Sequence, residues 1–270
     1  MPWSYCWPGE RPCSLASGVA GNPSTLTFRA AYRELEGRMK ALAEADGDVF
    51  LPNPEPLEPV EYVFVCMEPS LGRWAQSPEE ARAKVRAGFR NFVFSIEDFI
   101  LHFCIKHYLC NATERYHITD VSKGAMLTHR AGIARTHRYE RWYGLLLEEV
   151  DLVATSDART FAVGRDVSTF LAQRGFPKPF TYVIHYSGQA GLARRAGIRG
   201  HEASFEQFRG SVSLERVLVT AEEVLNASVP ARFRDETLAR LARTELSESR
   251  QQLIFNYKLA FEAQTGSESR

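Results

Sequence analysis

The sequence lacks an excess of charge, a long apolar run and paired-cysteine motifs. Its 33 Lys and Arg residues balance its 33 Asp and Glu residues, so no overall field draws the chain to nucleic acid or to a membrane. A nucleic-acid site would therefore have to be a local basic patch. Since no run approaches the roughly 18 apolar residues that a bilayer requires, we expect no membrane contact.

The cysteines and the first residues of the chain argue against a disulfide-rich protein, a cysteine metal site and a secreted protein. The five cysteines are an odd number without tight C-x-x-C spacing. Reduced core thiols are therefore favoured over a disulfide framework, or over a metal site built from Cys6, Cys13, Cys104 and Cys110. The stretch MPWSYCWPGERPC lacks the positive and apolar segments of a signal peptide. We expect a cytoplasmic monomer without a metal.

Motifs for several other chemistries are missing from the sequence. No glycine-rich phosphate loop carries a Walker lysine, and the lone G-R-D at residues 164–166 lacks dinucleotide-binding spacing. Ser70 and Ser187 lie on turns and not on a nucleophile elbow. We therefore expect no cofactor.

Four short apolar segments alternate with helical patterns along the chain. They lie at residues 62–66, 116–121, 160–163 and 181–184. An apolar run without alternation is typical of a strand buried on both faces, as in a parallel sheet. The sequence predicts an α/β fold, a three-layer sandwich with a central, mainly parallel four-stranded sheet flanked by helices.

The composition divides the chain into three parts. Residues 1–23 are rich in Pro, Gly and Ser and are expected to form an irregular N-terminal arm. Residues 24–228 should form the α/β domain. Residues 229–270 are predicted to form a C-terminal helical extension that packs on the same domain and frays at its end.

Polar side chains stand at the ends of three of the four predicted strands. Pro69 must end the first strand because it cannot donate to a sheet ladder, and Glu68 precedes it. Asp120 ends the second strand and His185 the fourth, whereas Gly164 after the third is expected to serve a helix turn. Ligands of open α/β sheets bind just beyond these ends. The sequence therefore predicts a site where carboxylates and a histidine converge.

A carboxylate and a histidine at one edge can perform hydrolysis as a general base and a general acid. The same pair can stabilise a cationic sugar and a departing anion, which are the two charges that develop when a glycosidic bond is cleaved.

Five segments, taken in order, resemble motifs of the uracil-DNA glycosylase superfamily. C-M-E-P-S-L-G after the first strand resembles G-Q-D-P-Y, G-x-N-P-G or G-E-A-P-G, and H-Y-S-G-Q after the fourth resembles H-P-S. Between them, NFVFSI resembles the F-S-V stretch, YHITDVSK resembles the I-T-N-x-x-K strand, and FAVGRDVSTFL resembles the L-G-x-x-A helix start. The resemblance covers residues 60–200 and implies the superfamily's layered α/β fold.

The resemblance implies a role for each matching residue. Glu68 stands at the position of the catalytic Asp or Asn. His185 matches the histidine that donates to the base carbonyl and stabilises the leaving anion. Phe94 corresponds to the aromatic residue that stacks on the flipped base, and Asp120 to the Asn that recognises the base edge. Met67, beside Glu68, is included among the base-binding residues.

The resemblance also predicts where DNA is contacted. The turn at residues 186–195 matches the loop that enters the minor groove, where Leu192 would fill the space left by the flipped base. Basic side chains would bind phosphates. The predicted DNA-binding residues are Ser70, Ser187, Leu192, Arg194, Arg195 and Arg130.

Four positions depart from the superfamily motifs: Cys66 replaces a glycine, Glu68 is longer than Asp, Tyr186 replaces proline and Asp120 replaces Asn. An amide can both donate to and accept from uracil, whereas an ionised carboxylate only accepts. A carboxylate at Asp120 would oppose uracil O4 and match the N4 amine of cytosine. The substitution predicts a cytosine-type base. The loss of the glycine at Cys66 and the inserted segment 123–138 predict a reshaped pocket that admits a bulky substituent at carbon five. Because bulky modified cytosines occur in bacteriophage DNA, a defence role is a plausible extension.

These expectations describe a DNA glycosylase that flips a base out of DNA, hydrolyses its N-glycosidic bond and leaves an abasic site. Two alternatives stay open: a non-catalytic DNA-binding relative, and a hydrolase of free nucleosides or nucleotides. Simpler interpretations also stay open for single residues. Phe94 would then be a core residue, Asp120 a turn cap, and the basic segment 123–141 a solvated face.

Overall fold

The computed structural model describes residues 23–72, 74–131 and 133–265. The predicted N-terminal arm, with Cys6 and Cys13, and the predicted fraying end at residues 265–270 lie outside these ranges, apart from residues 23 and 265.

The centre of the molecule is a four-stranded parallel sheet in the order β3-β2-β5-β6. Its strands are β2 (Val60–Cys66), β3 (Tyr116–Asp120), β5 (Ala154–Val163) and β6 (Phe180–Val183). Two short antiparallel strands, β1 (Val49–Phe50) and β4 (Gly124–Ala125), pair beside it. The predicted α/β class with a parallel central sheet is confirmed.

Strand β2 lies between β3 and β5, and this position explains its apolar sequence. Val63, Phe64 and Val65 have no exposed surface. Phe64 faces one core cluster, whereas Val63 and Val65 face another on the opposite side of the sheet. A strand covered on both faces buries every side chain, so the alternation of apolar and polar residues disappears.

Helices cover both faces of the sheet. Side chains of α1, α5 and α6 join the cluster on one face, and those of α3, α9 and α11 join the cluster on the other. Within the described ranges, no helix has both the length and the apolar composition to cross a membrane. The helices are α1 (Pro23–Ala45), α2 (Pro78–Arg86), α3 (Ile96–Tyr108), α4 (Thr128–Ala131), α5 (Arg135–Val153), α6 (Arg165–Gln173), α7 (Gly191–Ala196), α8 (Glu202–Arg209), α9 (Leu214–Ser228), α10 (Ala231–Leu241) and α11 (Glu248–Thr265).

Several element bounds differ from the prediction. The turn predicted at residues 186–195 contains a 3₁₀ turn (Gly188–Ala190) and the start of α7. The mixed segment 203–226 forms two helices that are separated at Gly210. Strand β5 begins at Ala154, six residues before the predicted start, because its exposed first half lacks the apolar pattern.

Helix α11 contributes directly to the core that covers the sheet. The Phe261 ring packs against Phe64 at 5.7 Å and against Phe161 at 5.5 Å between centroids. The hydroxyl of Tyr257 donates to the carbonyl of Ile184, just after β6, at 2.9 Å. The predicted C-terminal extension is therefore part of one outer layer of the same domain.

Candidate functional site

A cavity of about 530 Å³ opens at the carboxyl ends of β2, β3 and β6. Parallel strands end at the same edge of a sheet, so side chains far apart in sequence meet there. The register pairs Cys66 with Asp120 and Val163 with Val183. The predicted site residues that line the cavity are Met67, Glu68, Ser70, Phe94, Asp120, His185 and Ser187. All five predicted catalytic and base-binding residues are thus brought together.

The carboxylate of Glu68 is held by side chains from α5. Its side chain is only 2% exposed, and Nε of Arg135 lies 2.9 Å from Oε1. The Tyr139 hydroxyl donates to Oε2, and an Nη atom of Arg138 lies 3.6 Å from Oε1. Burial raises the pKa of Glu68, while Tyr139 and the two arginines oppose that rise. Glu68 is therefore a buried carboxylate fixed in an ion-pair cluster at the cavity wall.

His185 has a defined proton arrangement. The backbone N–H of Ser187 lies 2.9 Å from Nδ1 of His185. A backbone N–H can only donate, so Nδ1 accepts and the proton of the neutral ring must sit on Nε2. Burial, with Arg194 and Arg135 adding positive charge nearby, lowers the pKa of His185 to about 4. At neutral pH the ring is therefore an uncharged donor through Nε2.

Gly164 allows His185 to occupy this position. Its φ of +101° is in the region that favours glycine, and a Cβ there would lie 3.2 Å from Cδ2 of His185. Its N–H donates to the carbonyl of Val183 at 2.8 Å, which fixes the end of β5 against β6. Gly164 starts α6 as predicted, and it also leaves room for the imidazole ring.

Asp120 lies at the end of β3 and is paired with an amide that the sequence did not single out. Nδ2 of Asn91 lies 2.6 Å from Oδ2 of Asp120. Oδ1 of Asn91 accepts the N–H of Phe92 at 3.0 Å, and this bond fixes the amide orientation. Asn91 is the first residue of the NFVFSI segment. Its position at the start of this motif was the only sequence signal that it belongs to the site.

Burial raises the pKa of Asp120 to about 8, with Lys123 and Asn91 opposing the rise. Asp120 is therefore mostly protonated at neutral pH, and the prediction that it is an ionised, acceptor-only group is wrong. The physical reason is desolvation, which disfavours the charged form of a carboxyl group that lacks a direct cationic partner. A protonated carboxyl group can both donate and accept.

A buried ion-pair network supports the strand that carries Asp120. Nζ of Lys123 lies 2.6 Å from Oε2 of Glu149, and Oε1 of Glu149 lies 3.0 Å from Nε2 of His117. The hydroxyl of Thr119 donates to the same carboxylate at 2.7 Å. Lys123 and His117 hold the pKa of Glu149 near 2 despite its burial. Lys123 forms its ion pair with Glu149 and not with the carboxyl group of Asp120. It therefore offsets only part of the rise in the pKa of Asp120 that burial causes.

Phe94 contributes an aromatic surface to the cavity. It is partly exposed, and the Arg240 guanidinium from α10 lies 4.0 Å from its ring centroid. Its ring also packs edge-on against Phe89, which stacks on Trp74 at 4.7 Å. Phe94 therefore borders both the cavity and a small aromatic cluster. This position is compatible with a core role and with stacking on a base.

Two departures from the superfamily motifs fit each other. Tyr186, in place of proline, stacks on His185 with 4.6 Å between ring centroids. Its phenol lies close to the thiol of Cys66, which stands where the superfamily has glycine. Tyr186 lines the cavity, and Cys66 is buried beside it.

Apart from Arg194, the predicted DNA-binding residues divide into two groups. Ser70 and Ser187 line the cavity. Leu192 is 76% exposed, and Arg195 and Arg130 are also exposed. Arg130 borders a separate hollow with Asp46, Asp48, His137, Arg138 and Arg141.

Arg194 is placed differently from its prediction. It is 2% exposed, and its guanidinium donates to the Ser249 hydroxyl at 3.0 Å and to the Ser187 carbonyl at 2.8 Å. In this position it cannot reach a phosphate. The prediction of a phosphate contact is therefore wrong, because the guanidinium is needed to join α7 to α11.

Comparisons of this chain with models of protein families, with curated proteins and with solved structures found no match. The resemblance to the glycosylase superfamily therefore rests on the sequence motifs and their order. Within the described ranges, no cluster of three or more His, Cys, Asp or Glu side chains is arranged to hold a metal. Cys104 is buried and Cys110 partly buried, and both are free thiols.

Proposed function

We propose that this protein is a DNA glycosylase that flips a base into the cavity, hydrolyses its N-glycosidic bond and leaves an abasic site. The observation that carries the proposal is the meeting of Glu68, Asp120, His185 and Phe94 at one cavity. The order of the five sequence motifs supports it. In this proposal the protein is a uracil-DNA glycosylase relative that acts as a cytoplasmic monomer without a metal or cofactor.

His185 stabilises the departing base. Its Nε2–H is a fixed, uncharged donor, and a preorganised donor of this kind stabilises developing negative charge. A carbonyl oxygen of the base gains negative charge as the bond to the sugar breaks. Ser187, by donating to Nδ1, sets the tautomer that this role requires.

Glu68 supplies negative charge on the sugar side of the reaction. The cleavage passes through a cationic sugar, which a nearby carboxylate stabilises. Arg135 and Tyr139 fix the carboxylate at the cavity wall and oppose the rise in pKa that burial causes. Removing either group that faces developing charge should lower turnover by roughly 10² to 10⁴.

The cavity volume bears on the base. About 530 Å³ lies within the range of small-molecule sites and leaves space beyond a planar pyrimidine ring. Phe94 offers a surface for stacking, and Asp120 offers a group for the base edge. A cytosine-type base with a substituent at carbon five fits this arrangement, and such bases make defence against bacteriophages the proposed biological setting.

The test incubates the protein with DNA that contains uracil, cytosine or cytosine modified at carbon five, and measures alkali-labile strand breaks. Glu68→Gln and His185→Ala should each lose most of the activity. Asp151→Asn, which changes an exposed carboxylate on α5, is the matched control. Salt-dependent binding without abasic sites would instead support a non-catalytic DNA-binding relative. Turnover of free nucleosides without DNA would support a nucleoside hydrolase.

A further inference from the structure

The Asn91 amide is fully engaged within the protein. Its Oδ1 accepts the Phe92 N–H at 3.0 Å, and its Nδ2 donates to Asp120 at 2.6 Å and to Oδ1 of Asn53 at 3.4 Å. Both N–H groups are thus directed at protein acceptors. Asn91 lines the cavity but has no donor left for a base. Asn91 can therefore act on a bound base only indirectly, by positioning the carboxyl group of Asp120.

Asn91 determines which oxygen of Asp120 carries the proton. Oδ2 accepts the short hydrogen bond from the amide, and a carboxyl group accepts best through its carbonyl oxygen. The proton of the neutral form then belongs on Oδ1. In the part of the chain that the structure describes, no hydrogen bond holds Oδ1. The free O–H group is therefore available to a base in the cavity that Asp120 lines.

Several groups determine the charge of Asp120. Lys123, close to it in sequence, favours the ionised form, whereas Glu68 after β2 and Glu149 from α5 disfavour it. The Cys66 thiol and the phenols of Tyr186 and Tyr139 also face it, and each is neutral at neutral pH because burial raises its pKa. Burial is the largest effect and raises the pKa of Asp120 to about 8.

We propose that Asp120 is the general acid of the reaction and that it donates its Oδ1 proton to N3 of a cytosine-type base, with Asn91 as the positioning residue. This inference rests on the proposed glycosylase function. It assigns Asp120 a chemical step in addition to recognition of the base edge.

The proposed step is balanced in atoms and electrons. The O–H bond of Asp120 breaks as an N3–H bond forms, so the base becomes a cation. The bond between C1′ and N1 then breaks, its electron pair moves to N1, and the base leaves neutral. Water adds its oxygen to C1′ and releases a proton, which restores the acid form of Asp120 through solvent.

The same geometry separates cytosine from uracil. N3 of cytosine has a lone pair, whereas N3 of uracil carries a hydrogen and cannot take the proton. A neutral carboxylic acid that faces an acceptor is an effective donor at neutral pH when an apolar site keeps it protonated. Proton transfer to N3 is therefore available to the cytosine ring and not to uracil.

The experiment measures single-turnover excision between pH 6 and 10 on DNA that contains a cytosine modified at carbon five and on DNA that contains uracil. For the wild type on cytosine-type DNA, the rate should fall about tenfold per pH unit above pH about 8, as the acid form is lost. Asp120→Asn retains a donor but cannot transfer a proton. It should lose roughly 10² to 10⁴ on the cytosine-type base without that alkaline fall.

Asn91→Leu separates positioning from structure. Loss of the amide removes a hydrogen bond that lowers the pKa of Asp120, so the alkaline fall should move to higher pH. The rate below it should also drop, because the O–H is no longer directed. A purely structural role would lower the amount of folded protein but would not move the pH profile. Asp151→Asn should leave both the rate and the profile unchanged.

Failure of the inference and failure of the proposed function give different results. If abasic sites form on cytosine-type DNA at equal rates with wild type and Asp120→Asn, the general-acid assignment is overturned while the glycosylase function stands. If no DNA yields abasic sites, the glycosylase function is overturned and the inference that rests on it is overturned as well.

Discussion

Gly164, just after β5, leaves no room for a side chain of its own beside His185, just after β6. A Cβ on residue 164 would lie 3.2 Å from Cδ2 and 3.3 Å from Cβ of His185. The glycine thus couples the backbone after β5 to the position of the imidazole ring, which lines the cavity.

Gly164→Ala should therefore reduce both stability and activity. The positive φ of residue 164 disfavours a side chain by on the order of 1–3 kcal/mol, and the new methyl group displaces His185. Gly175→Ala is the matched control, because Gly175 also has a positive φ, of +60°, but no neighbour within 4 Å of an added Cβ. Urea unfolding and abasic-site formation would be measured together. Equal loss of activity per unit of stability in both variants would contradict the coupling.

Arg135 should control the ionisation of Glu68. Burial raises the pKa of Glu68 and Arg135 opposes that rise, so Arg135→Met should raise this pKa further. If activity needs the carboxylate, the acidic limb of the pH profile moves to higher pH and the rate at neutral pH falls. Arg135→Lys keeps the charge and should restore part of the rate. Arg141 lies on the same helix as Arg135 but pairs with Asp46. Arg141→Met should therefore leave the pH profile of activity unchanged.

Arg195 and Arg194 are adjacent in sequence, but their substitution should affect different properties: DNA binding for Arg195 and stability for Arg194. Arg195 is exposed on α7, so Arg195→Gln should reduce the slope of log K for DNA against log salt by roughly one unit. Arg194 is buried and joins α7 to α11, so Arg194→Gln should lower the free energy of unfolding. Salt titrations of DNA binding and urea unfolding of both variants provide the measurement. An unchanged slope for Arg195→Gln would place the DNA elsewhere.

Asp120 should make stability depend on pH. Its pKa rises from about 3.9 in the unfolded chain to about 8 in the fold, so the folded state binds the proton more tightly. The associated stability is complete below about pH 4 and is lost as pH rises through about 8. Asp120→Asn has no such loss and should gain stability relative to the wild type between pH 5 and 8. A constant difference across that range would show that Asp120 titrates normally.

The sequence alone determined the strands and the residues that end them. Apolar runs such as Tyr62–Cys66 predict buried parallel strands because local side-chain patterns report burial on both faces. Pro69 predicts that the strand stops before it, and β2 ends at Cys66. Parallel strands present their carboxyl ends at one edge. The convergence of Glu68, Asp120 and His185 at one cavity therefore followed from topology.

Only the tertiary structure decided the charge and the partners of those side chains. Glu68 is paired with Arg135, 67 residues away, and Asp120 is bonded by Asn91 at a separation of 29 residues. Arg194 is buried because α11 packs over it, whereas the adjacent Arg195 is exposed. Desolvation and ion pairing depend on which distant elements pack together. A local sequence pattern therefore identifies a titratable side chain but does not determine its protonation state.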